Sequence, residues 1–262
     1  MMAENLGVAT KCKSNFVTTP KLFSTFLFFV VKMSKNIFFI FVLLSSVLLF
    51  SGDFNTIVAE AKQAVSAREY ADAASKYDEA IKLADTSARK YTAYRGKYTA
   101  LRKAGKIAEA DKVVEIAVED EDFRGRELRK FINDFAQDEL WGARYEKALE
   151  MLIVAQEVPC SKGSNEYFQT CNLMAHLYSS RMQQPEVGIQ IMQSLMQEKH
   201  LHPGNYYSGW LFIGNAQERL GNWSCALESY KTAHAYLKEV KYKVSFTEIE
   251  TRIKNLEEKL KK

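Results

Sequence analysis

Histidine and cysteine are the side chains of this sequence best suited to metal binding or nucleophilic chemistry, and their spacing assembles no recognisable site. The four histidines, His176, His200, His202 and His234, are scattered. His200-Leu201-His202 has the form of a minimal metal pair, but without further ligands at a known spacing, and beside Pro203, it reads as loop. Cys171 and His176 stand five residues apart, a separation at which helical side chains diverge, so no activated thiol follows. No glycine-rich phosphate loop, G-x-S-x-G elbow or H-E-x-x-H pattern is present. The sequence therefore predicts no cofactor, no metal and no catalytic residues. Asn222-Trp223-Ser224 fits the N-glycosylation pattern, which matters only in a eukaryotic secretory pathway, and a turn asparagine has its own structural reason.

The elements that would position any site follow from composition and periodicity. Of the 262 residues only twelve are glycine and four proline, too few for an all-β chain with frequent turns. Small residues recur at Ala73, Ala110, Ala148, Gly188 and Ala226, spaced by 37, 38, 40 and 38 residues. Four positions after each comes a larger residue: Tyr77, Val114, Leu152, Met192 and Tyr230. Three further on stand Ala80, Ala117, Ala155, Leu195 and Ala233. This is one stripe of a helix that approaches a neighbour closely, repeated five times. The pattern predicts helix pairs at 54–67 with 70–84, 88–104 with 107–118, 126–140 with 144–156, 165–181 with 185–199, and 205–220 with 223–238. Such hairpins are stable only when stacked. Phe246–Lys262 predicts a last helix with apolar Phe246, Ile249, Ile253, Leu256 and Leu260 that caps the stack. Glu119-Asp120-Glu121-Asp122 reads as a solvated linker.

The fifth unit carries the fullest signature, with Trp210, Ile213 and Gly214 in its first helix and Leu220-Gly221-Asn222-Trp223 at its turn. Ala226, Tyr230 and Ala233 follow in its second helix. On these residues the chain resembles the tetratricopeptide repeat family over about 54–237. Trp210, Trp223 and Tyr230 then occupy packing positions rather than a ligand box. The resemblance implies an all-α solenoid of about five repeats over 53–245 with a capping helix at 246–262. It also implies a concave groove, lined by the first helix of each hairpin, that receives a protein or peptide. Its groove-facing positions fall on Arg95 and Thr99, Asn133 and Gln137, Asn172 and His176, and Leu211 and Asn215. Arg102 and Lys103 extend a basic patch one turn on. The carboxylate clamp of the chaperone-binding members is not reproduced beyond Arg95.

Charge and the N-terminus bound the partners. Residues 1–52 hold five lysines and one glutamate, and 53–262 hold 31 basic and 31 acidic residues, so the folded part has no basic excess for nucleic acid. Ile37–Phe50 is an apolar run of about 14 residues preceded by Lys35. At 1.5 Å per residue it reaches about 21 Å, short of a bilayer core of roughly 30 Å. With Ser51-Gly52 after it, 33–52 reads as a cleaved export signal. Residues 1–32 then read as an upstream extension ahead of a start at Met33. Leu22–Val31 is a second short apolar run, so a membrane-associated N-terminus stands as the alternative. Beyond this segment lie Cys160, Cys171 and Cys225, an odd number. A Cys160–Cys171 bridge is conceivable in an oxidising compartment, and three buried thiols are the other reading. The expectation is an exported, non-enzymatic scaffold, periplasmic or secreted. A membrane-anchored assembly factor and an enzyme of unrecognised type are the alternatives.

Overall fold

The structure, a computed structural model, describes residues 53–238 and 246–261. The upstream extension and export signal read at 1–32 and 33–52 lie outside the described residues. The described chain forms five helical hairpins: α1 (Phe54–Ser66) with α2 (Tyr70–Leu83), α3 (Ser87–Lys103) with α4 (Ile107–Glu119), α5 (Gly125–Trp141) with α6 (Tyr145–Glu157), α7 (Asn165–Ser180) with α8 (Pro185–Met196), and α9 (Pro203–Arg219) with α10 (Trp223–Leu237). A last helix, α11 (Phe246–Leu260), follows. No predicted boundary moves by more than three residues.

Each hairpin turns in the same way. Arg68, Gly105, Ala143, Gln183 and Gly221 all have positive φ, at 65°, 77°, 58°, 55° and 76°. Their spacing repeats that of the small residues five positions later. A left-handed residue after the last helical turn lets the next N–H reach back to an orphan carbonyl. Glu69 N–H reaches Ala64 O, Lys106 reaches Leu101 O, Arg144 reaches Glu139 O and Asn222 reaches Gln217 O, each at 2.9 Å. Glycine takes this conformation without strain, whereas Arg68, Ala143 and Gln183 each bear a cost of about 1 kcal/mol. First helices gain side-chain caps from Asp53, Thr86, Ser164 and His202, while the second helices have none. Pro185 and Pro203 open α8 and α9, where a missing N–H leaves nothing unpaired.

The small stripe works as its spacing implies. Ala73, Ala110, Ala148 and Ala226 are fully buried, as are Met192, Leu152 and Tyr230 four residues on. At Gly188 an added Cβ would sit 2.7 Å from the backbone oxygen of Ala175, so only glycine lets α8 lie this close to α7. Gly214 of α9 likewise makes room for the ring of Tyr230, 2.7 Å from where a Cβ would stand. Trp210 and Trp223 are half-buried against the same cluster.

α11 packs on α10 through Ile249 and Leu256, which join Ala226, Tyr230, Ala233 and Leu237 in one apolar cluster. Ile253 is partly buried there, but Phe246 and Leu260, at the two ends of the helix, remain exposed. Asp120 corrects the reading of 119–122 as a solvated linker. Its carboxylate is clasped by the buried Lys90 at 2.7 and 2.8 Å and by the Tyr94 hydroxyl at 2.8 Å. Burial pushes its pKa up, but the hydrogen bonds from Lys90 and Tyr94 outweigh that and hold it below the usual carboxylate value.

Candidate binding groove

Consecutive first helices touch along the stack (α1 with α3, α3 with α5, α5 with α7, α7 with α9), whereas consecutive second helices make no comparable approach. A stack pinched on one side and splayed on the other curves towards the pinched side. The first helices therefore line its concave face, and the side chains between successive first helices are the ones a long ligand would meet. A cavity of about 440 Å³ opens there between α1 and α3, lined by Lys62, Val65, Tyr91, Arg95 and Thr99 among others.

The cations read from the sequence as ligand-gripping are mostly engaged within the chain. Arg95 Nη1 donates to Asp138 at 2.7 Å and its Nε lies 3.9 Å from Asp134, both on α5. Tyr91 donates its hydroxyl to the same Asp134 at 2.7 Å. Arg102 reaches Glu139 at 3.0 Å, and Arg144 Nε stands 2.6 Å from the other oxygen of this fully buried carboxylate. Burial pushes the Glu139 carboxyl above its ordinary pKa, against the opposing pull of Arg144 and Arg102. The guanidiniums of Arg95 and Arg102 also lie 5.2 and 5.9 Å from the ring centre of Tyr98. Thr99 turns its hydroxyl onto the Arg95 carbonyl at 2.7 Å. Arg95 and Arg102 thus bind α3 to α5, which corrects their reading as free groove cations. Lys103 is exposed and makes no ion pair with a described residue.

Asn133 needs a larger correction. It is fully buried, with Nδ2 donating to the Glu166 carbonyl at 2.9 Å and Oδ1 accepting from Thr170 at 2.9 Å. The N-terminal turn of α7 covers it, so no partner reaches its side chain. Beside it lies Arg129, 1% exposed, which donates to the carbonyls of Gln156 and Val158 at the end of α6. Its guanidinium sits 5.0 Å from the centre of the Tyr167 ring. A buried cation needs such carbonyls and a π face when no carboxylate meets it.

The remaining groove positions are open to different degrees. Gln137 and Asn172 are half-exposed, and their side chains form no hydrogen bond with a described residue. His176 is exposed on one side, while its ring packs edge-on against Phe212 at 4.8 Å. Desolvation lowers its imidazole pKa, and Arg219 adds to that lowering. Leu211 packs into the cluster beneath α11. Asn215 Oδ1 accepts a hydrogen bond from Arg252 of α11 at 2.8 Å and lies 2.8 Å from the Tyr230 hydroxyl oxygen. Around Asn215 lies a cavity of about 540 Å³, completed by Glu218, Arg219, Trp223, Arg252 and Lys259. The sequence reading passed over these charged residues. Arg252 and Lys259, seven residues apart, share a face of α11, and Arg219 is one turn beyond Asn215. That spacing was the available signal.

His202 caps α9, its Nδ1 accepting from Gly204 N–H at 3.1 Å. Among the described residues no group of three His, Cys, Asp or Glu is placed to hold a metal ion. Cys160, Cys171 and Cys225 are free thiols, and only Cys171 is buried, its pKa pushed up to about 11 by desolvation. Among the described residues no helix is long and apolar enough to cross a membrane.

The repeated turn, the small–large stripe and the inner row of first helices give the chain a tetratricopeptide-like helical-repeat fold. No known protein-family profile matches it. No characterised protein matches it by sequence. Among solved structures it is similar to PilF of Pseudomonas aeruginosa, with a TM-score of 0.47 and 12% identity over 79% of this chain and 90% of that one. It is similar to BtubC from P. vanneervenii, with a TM-score of 0.49 and 16% identity over 73% of this chain and 82% of that one. It is also similar to YrrB, described as a TPR protein with an unusual peptide-binding site, with a TM-score of 0.45 and 19% identity over 73% of this chain and 90% of that one.

Proposed function

We propose that the chain is a non-enzymatic scaffold that binds a protein or peptide along the concave face of its first helices. The inward curvature carries this reading. It leaves Tyr91, Thr99, Gln137, Asn172 and His176 half-exposed or exposed along one continuous face, with a cavity of about 440 Å³ near one end and one of about 540 Å³ near the other. The Gln137 and Asn172 amides so placed suit a peptide backbone, which offers donors and acceptors at every residue. We propose further that the chain is exported, supported by the apolar run Ile37–Phe50 behind Lys35 and the small residues after it.

Photo-crosslinking in cells tests the binding face. A photoreactive amino acid at Thr99, Gln137 or Asn172 should capture the same partner. At Ile116 or Ile153, exposed on the second helices α4 and α6, it should capture none. Capture confined to Ile116 and Ile153, or no capture at the first-helix positions, overturns the reading. N-terminal sequencing of the mature protein tests export: a native N-terminus within residues 1–32 rules out cleavage near Gly52.

A further inference from the structure

The cavity at the α9–α11 end differs from the rest of the concave face in the state of its cations. Arg219 and Lys259 are exposed and have no carboxylate within ion-pair reach among the described residues. The nearest partner of Lys259 is a π face, the Trp223 ring, with Nζ 3.2 Å from its centre. Arg252 is held as a buttress. Its Nη1 bonds to Asn215 and to the Tyr230 oxygen, and its Nη2 to Glu248 at 3.1 Å. Glu218, the one carboxylate in the lining, accepts the Tyr230 hydroxyl at 2.6 Å and stands 3.7 Å from Arg252. Glu218 and Glu248 thus both attend Arg252, which leaves Arg219 and Lys259 as the two cations of the lining without a carboxylate partner among the described residues. Asn215 turns its carbonyl oxygen to Arg252 and Tyr230, and its amide N–H groups have no acceptor among the described residues. The cavity continues the concave face, because Asn215 and Arg219 follow Leu211 on one stripe of α9, and Arg219 is near enough to His176 of α7 to lower its pKa.

We propose that this cavity is an anion subsite, which takes two neighbouring carboxylates from an acidic stretch of the bound peptide. The inference rests on the reading of the concave face as a peptide groove. Arg219 and Lys259 supply one charge each, Asn215 supplies neutral donors, and Trp223 walls the methylene groups of the acidic side chains. Charge-assisted bonds at a partly enclosed site favour carboxylates over amides of the same shape.

The test pans a phage-displayed library of random dodecapeptides on the full chain and on the double variant Arg219→Gln, Lys259→Met. Both residues are exposed, so the helices keep their packing, which circular dichroism checks. The wild-type chain should enrich peptides with adjacent Asp or Glu, and the double variant should recover peptides without that enrichment. For an enriched peptide, each single substitution should weaken binding about fivefold, and added salt should narrow the difference. Peptides recovered without acidic enrichment, or with equal enrichment in the variant, overturn the anion subsite while the groove stands. Recovery of no peptide by either protein overturns both.

Discussion

Arg95 and Arg102 on α3 pair with carboxylates on α5, whereas Arg219 on α9 and Lys259 on α11 form no ion pair with a described residue. In the first region successive first helices are joined by ion pairs across the concave face, and the charge that marks it in the sequence is neutralised by the next repeat. In the second region the stack ends. The helix that follows, α11, brings cations of its own, and the only carboxylate of the cavity already holds Tyr230. In a repeat protein, then, a charged groove position is interpretable only together with the repeat that follows it. The last repeat, whose neighbour is a cap, is where charge stays available.

The largest effect that could break this comparison is expected at Glu139. Replacing it with Ala leaves Arg102 and Arg144 facing a vacated buried site, and should cost about 3–5 kcal/mol in urea denaturation. A loss below about 1 kcal/mol would mean that the α3–α5 pairing is not what secures the two helices, and the contrast with α9–α11 would fail. Next comes a matched pair. Arg95→Met should lower stability by about 1 kcal/mol, because Asp134 and Asp138 are left facing each other, while Arg219→Gln should stay within about 0.5 kcal/mol of wild type. Equal losses at the two sites would erase the distinction between engaged and free cations. The smallest effect sharpens the scaffold rather than the charges. Ala143→Gly should raise stability by up to about 1 kcal/mol, since φ is 58° there, and Gly221→Ala should lower it by a similar amount. Thermal melts of the two variants check the opposite signs.

The hairpins were legible because their determinants are local. The Ala226–Tyr230–Ala233 stripe, the prolines at α8 and α9 and the turn at Gly221 each act within one repeat. The repeated left-handed turn was only half visible, since Arg68, Ala143 and Gln183 do not announce positive φ as Gly105 and Gly221 do. The groove was less legible for a different reason. Arg95 meets Asp138 across 43 residues, and Asn133 is buried by a carbonyl 33 residues away. Both contacts depend on how closely one first helix lies on the next, which no spacing within a single repeat records. Asp120 was misread because an acidic run looks solvated until Lys90 and Tyr94 are placed beside it. Arg252 and Lys259 stand on the polar side of a helix whose sequence signature is its apolar face, and only the fold sets them beside Asn215 and Arg219.

The buried cluster of Arg129, Asn133 and Thr170 has a consequence for how the molecule comes apart. A solenoid held by apolar contacts alone can fray from its ends, one repeat at a time, because each interface contributes a similar amount. Here α5, the end of α6 and the first turn of α7 share hydrogen bonds that form only while all three are in place. Opening either the third or the fourth hairpin strands a guanidinium and an amide in the interior. The middle of the stack is therefore expected to unfold as one cooperative block, with amide exchange in α5 and α7 at a common rate slower than in the outer hairpins.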